Sequence, residues 1–374
     1  MTPMRNPFPF SLRVITDPIG FCNRTPEIQK LISYAKSNTN AVIYSQRRFG
    51  KTSLVKQVQQ RLEKADFVTI YIDLFGLSSA DTIASRITRG VYKALYEQKA
   101  LWQKALATIK SHRPVVRPDE TGFSITAEAA GSKVFGADLL DQTLHELGEF
   151  LAQEKRKTNI VLDEFQEITE IKDPDVEGIM RSHIQQHQAS YFFVGSRRRV
   201  LLEMFSQKRR PFFQSAVNFE LNPLPHDEFV TFIAKRFEDA KKRCPPEAAD
   251  AIAATVGDHP YYGQKLAFFC YERADKKVTQ TDVQQAYADL LQAERPVFEA
   301  IVLGLAPRQI ALLKAIAREP TKSILSMDYI RKHALKSIGG IQAATKRLNQ
   351  LDLIEKEKDV WIVVDRVFAR WLTQ

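Results

Sequence analysis

The chain has 374 residues, of which 44% are hydrophobic and 26% are charged, a composition typical of a globular protein with two or three domains. No run approaches the roughly 18 apolar residues that span a bilayer, so we expect a cytoplasmic protein without a membrane segment. The formal net charge of +10 favours contact with an anionic partner.

Three cysteines, Cys22, Cys244 and Cys270, cannot all pair with one another. They form no CxxC motif and no cluster with histidines, so neither a disulfide framework nor a structural zinc site is indicated. His183 and His187 have the spacing of a zinc-binding helix but lack the glutamate of HExxH. We therefore expect them to lie on a solvated helix face.

The first third of the chain predicts helix, strand, loop and helix in that order. Residues 23–36 repeat apolar side chains at helical spacing after a polar start that contains Pro26. The apolar and β-branched run 40–45 predicts a strand, which ends at the polar, glycine-containing segment QRRFGKT. The periodicity resumes as a helix in SLVKQVQQRLEK.

Four further strands are predicted at residues 67–76, 159–165, 190–196 and 216–222. They are short, apolar throughout and separated mainly by helical stretches. This pattern is typical of a parallel sheet covered on both faces, so an α/β domain with right-handed crossovers is expected over residues 1–222. Residues 111–136 interrupt it with turn formers and hairpin-like alternation, which predicts a surface insertion.

The remainder predicts two smaller domains. Residues 223–300 indicate a helical domain, broken by turns at CPPEAA and VGDHPYY. Residues 301–374 indicate three helices followed by two short strands, which is the order of a winged helix. An unrelated helical cap is the alternative.

Residues 45–52, SQRRFGKT, fit the P-loop pattern GxxxxGK[ST] except that Ser45 replaces the first glycine. A P-loop needs inward-pointing amides, a helix N-terminus, a lysine for the β and γ phosphates and a hydroxyl for magnesium. Lys51 and Thr52 supply the last two, whereas a chance GKT in a basic loop is the alternative. The predicted nucleotide contacts are Ser45, Gln46, Arg47, Arg48, Phe49, Gly50, Lys51, Thr52 and Ser53.

A second motif, NIVLDEF, places two carboxylates directly after an apolar strand. Asp163 is predicted to hold magnesium together with Thr52, and Glu164 to activate the attacking water, since ligands bind at the carboxyl ends of such strands. Ser196 follows the next strand and is predicted to contact the γ-phosphate or the water, with a helix N-cap as the alternative. Asp73 either braces the metal or forms a turn.

With these residues assigned, the chain resembles the archaeal-type ATPases of the AAA+ and STAND branch of P-loop NTPases. The resemblance lies in FCNRTPEIQKL, the arginine pair before GKTSL, IYIDL, LDEFQE, VGS, PFFQSA, HPYY and the terminal winged helix. It implies an ASCE-type sheet in the order 5-1-4-3-2, a helical lid, ATP and Mg²⁺ as cofactors, and ATP-driven rearrangement. It also places Asn23 and Arg24 near the adenine and Pro260 in a lid turn that contacts nucleotide.

Two positions depart from the family pattern. Asp258 stands where the lid motif commonly has glycine, and Gln214 and Ser215 stand where relatives often carry an arginine. Nearby basic residues that could replace this arginine are Arg197, Arg198, Arg209 and Arg210.

The predicted third helix of the winged helix presents polar and basic side chains that could contact nucleic acid: Lys336, Gln342, Thr345, Lys346 and Arg347. The leading hypothesis is therefore a magnesium-dependent ATP hydrolase, acting as a switch or remodeller on nucleic acid, with DNA favoured over RNA. The alternative is a STAND-type signalling NTPase that engages a protein through its winged helix. An oligomer is compatible with either hypothesis.

Overall fold

The computed structural model describes residues 9–17, 19–22, 24–119, 122–130, 134–173 and 175–374. Asn23, predicted to lie near the adenine, falls outside the described residues. Contacts divide the chain into two units. The sheet unit contains Arg24–Arg47 and Lys51–Asn222, and the helical unit contains the described part of 1–23, Arg48–Gly50 and Pro223–Gln374.

The sheet unit is built from alternating helices and strands. In chain order these are α1 Thr25–Lys36, β1 Ala41–Tyr44, α2 Lys51–Glu63, β2 Val68–Asp73, α3 Ala80–Leu95, α4 Lys99–Thr108, β3 His112–Asp119, β4 Gly122–Ala129, α5 Ala137–Gln153, β5 Thr158–Asp163, a 3-10 helix Phe165–Glu170, α6 Val176–Ile184, β6 Ala189–Gly195, α7 Arg198–Ser206 and β7 Val217–Glu220.

Five of these strands form a parallel sheet in the order β2-β5-β6-β1-β7. Numbered among themselves and viewed from the other edge, they run 5-1-4-3-2, so the predicted α/β fold and strand order are confirmed. Every residue of β1, β5 and β6 is buried, which explains why these strands consist mainly of apolar residues. Because the strands are parallel, the same end of the sheet holds the carboxyl ends of β1, β2, β5 and β6.

An aromatic cluster anchors the chain just beyond β5. The ring of Phe165 lies 4.6 Å from Phe193, 6.0 Å from Phe205 and 5.2 Å from Phe212, centroid to centroid. Phe165, Phe193 and Phe212 are fully buried. Burying a phenylalanine contributes roughly 1.5–3 kcal/mol, and ring pairs add to that. Because Phe165 directly follows Glu164, the cluster holds the Asp163–Glu164 pair at the end of its strand.

The predicted insertion forms an antiparallel hairpin of β3 and β4. Its backbone is tied to α3, since the Ser85 hydroxyl donates to the Ala127 carbonyl at 3.0 Å and the Tyr92 hydroxyl donates to the His112 carbonyl at 2.9 Å. The hairpin thus covers α3 and adds no strand to the main sheet.

The helical unit contains ten elements after residue 223. They are α8 His226–Asp239, α9 Pro246–Thr255, α10 Pro260–Arg273, α11 Gln280–Leu303, α12 Pro307–Arg318, α13 Met327–Lys332, α14 Ile338–Gln350, β8 Ile354–Glu357, β9 Val360–Val363 and α15 Arg366–Trp371. The order from α12 to β9 confirms the winged helix. Within the described residues, no helix is long and apolar enough to cross a membrane.

Helix α15 is absent from the sequence prediction, which ended with a strand. Asp365 begins this helix by accepting hydrogen bonds from the backbone amides of Val367 and Phe368, each at 2.9 Å. A helix of one and a half turns is too short to show a hydrophobic period, so only the aspartate cap could have indicated it.

One hydrophobic core runs through the helical unit from Phe10 to Leu372. Phe298 of α11 illustrates the continuity, because its ring lies 5.0 Å from Phe368 and 5.6 Å from Trp371 of α15. Helix α11 itself continues to Leu303, past the predicted domain boundary at residue 300. The division into a lid at 223–300 and a winged helix at 301–374 stays a prediction.

Replacing Phe298 by alanine should destabilise the helical unit by about 3–5 kcal/mol, the usual cost of deleting a buried phenylalanine ring. Chemical denaturation followed by circular dichroism measures this loss. Leu303→Ala on the same helix is the matched control, since Leu303 is 85% exposed and its truncation should change stability by less than about 0.5 kcal/mol. Equal losses for the two variants would contradict a core that joins α11 to α15.

Candidate functional site

The loop between β1 and α2 closes around the side chain of Lys51. The Lys51 ammonium donates to the Gln46 carbonyl at 2.8 Å, to the Ser45 hydroxyl at 3.1 Å and to the Ser45 carbonyl at 3.3 Å. Gly50, with a φ of +84°, supplies the left-handed residue that turns the loop into the helix. Ser45 therefore adds a hydroxyl acceptor for the lysine, which the glycine usual at this position could not provide.

Lys51 is buried, with 6% of its side chain exposed. Burial lowers the pKa of Lys51 to about 8, and the carboxylates of Glu164 and Asp163 offset part of this effect. A buried ammonium with a lowered pKa is stabilised by any anion that reaches it. The electrostatics of the loop thus favour an anionic ligand.

Asp163 joins the loop helix to the sheet through its side chain. The Thr52 hydroxyl donates to Asp163 Oδ2 at 2.7 Å, and the Tyr71 hydroxyl donates to the same oxygen at 2.6 Å. Burial raises the pKa of Asp163, while the bonds from Tyr71 and Thr52 lower it again in part. The two side chains predicted to bind magnesium are therefore in direct contact.

Glu164 follows in a left-handed backbone conformation, with φ 54° and ψ 41°. Its Oε2 accepts a hydrogen bond from the Ser196 hydroxyl at 2.9 Å and another from the Gln166 amide nitrogen. Its backbone N–H donates to Asp163 Oδ1 at 3.0 Å. The structure thus brings Glu164 and Ser196 together and fixes one carboxylate oxygen with two donors, while the contact of Ser196 with phosphate or water stays a prediction.

Gln166 was missed by the sequence analysis. It is 1% exposed, and its Oε1 lies 2.1 Å from the point that a Cβ on Gly195 would occupy. The glycine of VGS therefore makes room for the glutamine that orients Glu164. The signal available was the second residue after the acidic pair, a glutamine that directly follows the aromatic Phe165.

Tyr71 was also missed, although it lies two residues before Asp73 and so shares its face of β2. Asp73 and Asp163 are paired in register across β2 and β5. The Asp73 carboxylate accepts the Phe75 N–H at 2.9 Å, which is the turn contact considered for it. A second role for Asp73 beside a metal stays a prediction.

The other predicted contacts lie in varied surroundings. Arg24 is buried, and its guanidinium bonds Glu27 at 3.0 Å and the Asn222 carbonyl at 2.8 Å within the sheet unit. Arg47 and Ser53 flank the same loop, and Ser53 is buried. The roles of these three residues toward nucleotide stay predictions.

Arg48, Phe49 and Gly50 have their contacts in the helical unit. The Arg48 guanidinium lies 3.0 Å from the Glu294 carboxylate, and the Phe49 ring lies 4.6 Å from His259. Pro260 begins α10 directly after His259, which caps that helix. Asp258 adopts a φ of 56°, a left-handed conformation that glycine adopts more readily than other residues.

A parallel sheet in this strand order, with a lysine loop after β1 and an Asp–Glu pair at the end of β5, defines the P-loop NTPases. Residues 21–266 match the family model of an ATPase domain predominantly from Archaea, so the chain belongs to that family and is an ATPase. Residues 296–374 match the model of a probable winged helix domain.

Solved structures share this fold over nearly the whole chain. A Walker-type ATPase of Pyrococcus abyssi matches 98% of this chain and 100% of its own, at 16% identity and a TM-score of 0.70. The ORC2 protein of Aeropyrum pernix, in complexes with ADPNP and ADP, matches 97% of this chain and 96% of its own, at 16% identity and a TM-score of 0.63. No curated protein sequence matches.

Asp163→Asn should stabilise the protein at neutral pH. A carboxyl whose folded pKa lies above the unfolded value of 3.8 is destabilising when charged, so its penalty is absent below that pH, grows as the pH rises toward the folded pKa and is complete above it. The amide keeps an oxygen for Tyr71 and Thr52. We expect the melting temperature of Asp163→Asn to exceed that of the parent protein at pH 7.

Thermal denaturation at pH 7 and at pH 4.5 measures the effect, and the gain should shrink at the lower pH. Asp73→Asn is the control, because Asp73 is exposed and its neutralisation relieves no burial. A melting temperature for Asp163→Asn below that of the parent at pH 7 would show that the charge is stabilising and contradict the account.

Proposed function

We propose that this chain hydrolyses ATP with magnesium and uses the cycle as a switch or remodeller on DNA. The observation that carries the proposal is the 2.7 Å contact between the Thr52 hydroxyl and the Asp163 carboxylate, beside the buried ammonium of Lys51. These three groups are the ones that a P-loop ATPase uses to hold a triphosphate and its cation.

The donor set fits magnesium better than a transition metal. Among the described residues, no group of three or more His, Cys, Asp or Glu side chains could hold an ion by itself. One hydroxyl and one carboxylate suit magnesium, which takes its remaining oxygen ligands from phosphates and water. When bound, the ion supplies charge that neutralises the phosphate oxygens.

The position of each side chain then determines whether it binds phosphate, binds the cation or takes part in proton transfer. Lys51 exchanges its loop carbonyls for phosphate oxygens, and Thr52 and Asp163 direct oxygen ligands at the cation. Glu164 accepts a proton from the attacking water, while Ser196 and Gln166 keep its carboxylate aimed. Because both donors bind the same oxygen, the other oxygen is the one that receives the water.

The assignment to DNA is supported by the surface of the winged helix. Helix α14 and the two residues before it expose Lys336, Gln342, Lys346 and Arg347. In winged helices the third helix enters the major groove, with such side chains reaching bases and phosphates. The net charge of +10 has the sign that a phosphate backbone requires. Oligomer formation and a cytoplasmic location stay predictions.

Support for the nucleotide also comes from a neighbour. The ORC2 protein of Aeropyrum pernix was solved with ADPNP and ADP and shares the fold over both units. A fold that holds adenine nucleotides there makes ATP the first ligand to test here.

Glu164→Gln tests the proposal directly. The amide keeps the size of the side chain but cannot take a proton, so kcat should fall about 10²–10⁴-fold with little change in ATP affinity. Turnover is measured by phosphate release with magnesium, with and without duplex DNA, and affinity by a fluorescent ATP analogue. Glu167→Gln in the following turn is the matched control and should retain parental turnover.

Equal turnover in Glu164→Gln and the parent would contradict the proposed role of Glu164. Tight nucleotide binding with slow turnover that DNA leaves unchanged would instead favour the STAND-type signalling alternative. In that case the winged helix would engage a protein.

A further inference from the structure

The open edge of the main sheet carries a concentration of positive charge. Strand β2 is an edge strand, and four cations lie around it: Lys56 on α2, and Arg86, Arg89 and Lys93 on α3. Residues 86, 89 and 93 are spaced by three and four, so they share one face of α3. We call these four residues the β2-edge cluster.

Close packing brings the cluster to the strand. Helix α3 approaches β2 at Gly90, where an added Cβ would lie 2.6 Å from the Ile72 side chain and 3.2 Å from the Tyr71 carbonyl. Arg86 donates to the carbonyls of Asp73 at 3.4 Å and Phe75 at 3.3 Å. The basic face of α3 therefore lies along the end of β2.

The fourth cation reaches the same strand from α2. The Lys56 ammonium lies 3.9 Å from the centroid of the Tyr71 ring. Tyr71 in turn donates to Asp163 Oδ2 at 2.6 Å. One aromatic side chain thus separates the cluster from the carboxylate that we assign to magnesium.

Within the described part of the chain, none of the four cations pairs with a carboxylate within 4 Å. Burial lowers the pKa of Arg89, and Arg86 lowers it further. Burial likewise lowers the pKa of Lys56, with Lys93 adding to the effect. Asp163 and Asp73 oppose the shift at Lys56, and Asp73 opposes the shift at Arg89.

The extent of the cluster selects its ligand. Residues 86 to 93 span about 10 Å along the helix axis at 1.5 Å per residue, so one compact anion cannot contact the whole row. A nucleic-acid strand carries a charge at each successive phosphate and can neutralise several cations in line. The planar guanidinium groups of Arg86 and Arg89 also suit bidentate contact with phosphate oxygens.

We propose that Lys56, Arg86, Arg89 and Lys93 bind the phosphate backbone of a nucleic acid at the open edge of the sheet. This site belongs to the sheet unit and not to the winged helix, and its nucleic-acid partner rests on the proposed function. Backbone contacts carry no sequence information, so binding here is independent of sequence. Through Lys56 and Tyr71, an occupied cluster also stiffens the position of Asp163.

The test combines Arg89→Glu with Lys93→Glu in the full-length protein. The matched control combines Lys64→Glu with Lys99→Glu, two exposed lysines of the same unit, and makes the same change in net charge. Binding of a fluorescein-labelled 20-nucleotide strand and of its duplex is followed by anisotropy from about 50 to 200 mM salt. Arg89→Gln with Lys93→Gln is the milder second variant, and thermal denaturation checks folding of each protein.

We expect the charge reversal to weaken binding at least about tenfold and to reduce the slope of log K against log salt by about 2, since each lost phosphate contact removes roughly 0.9. The slope should fall by a similar amount in the glutamine variant. In the control variant the reduction in slope should be less than half as large. Unchanged affinity and slope in both cluster variants would overturn the proposal. The cations would then serve only to prevent the edge strand from pairing with another chain.

Competition with polyglutamate distinguishes a site for nucleic acid from a site for an acidic protein. If it displaces the oligonucleotide at equal charge concentration, the assignment to a phosphate backbone is overturned. ATP turnover by the parent protein without nucleic acid tests the proposed ATPase function separately. Failure of that function can therefore be distinguished from failure of the proposed binding site.

Discussion

The hydrogen bond between the Thr52 hydroxyl and the Asp163 carboxylate is the contact on which the site depends. It joins the first turn of α2, which begins in the lysine loop, to the end of β5. Two residues separated by 111 positions in the chain meet only because β1 and β5 end at the same edge of the sheet. The strand order therefore creates the site, and the aromatic cluster behind Phe165 keeps it in place.

Burial gives this site an electrostatic character that favours ligand over water. The same desolvation lowers the pKa of Lys51 and raises that of Asp163, so each charged side chain is held in less favourable surroundings than water. Such a site is costly to the fold, and a charged ligand recovers part of that cost. The hydroxyls of Tyr71 and Thr52 limit the cost at Asp163.

Much of this arrangement could be predicted from the amino-acid sequence alone. The apolar runs of β1, β5 and β6 were visible because buried parallel strands lack alternation. The segment SQRRFGKT directly follows the first of these runs, and the Asp–Glu pair ends the second. Gln166 and Tyr71 escaped because their partners are set by strand pairing, which a single sequence does not display. Helix α15 was missed because its six residues span too few turns to show a repeating hydrophobic pattern, and the continuous core from α11 to α15 depends on tertiary packing alone.

The central claim is that Thr52 and Asp163 hold the cation of bound nucleotide as a pair. A double-mutant cycle with Thr52→Ala and Asp163→Asn, read out as the gain in ATP affinity caused by magnesium, tests it most directly. The account predicts that either change removes most of that gain and that the double change costs little more, giving strong coupling. Independent, additive losses, or a magnesium gain equal to that of the parent protein, would contradict it.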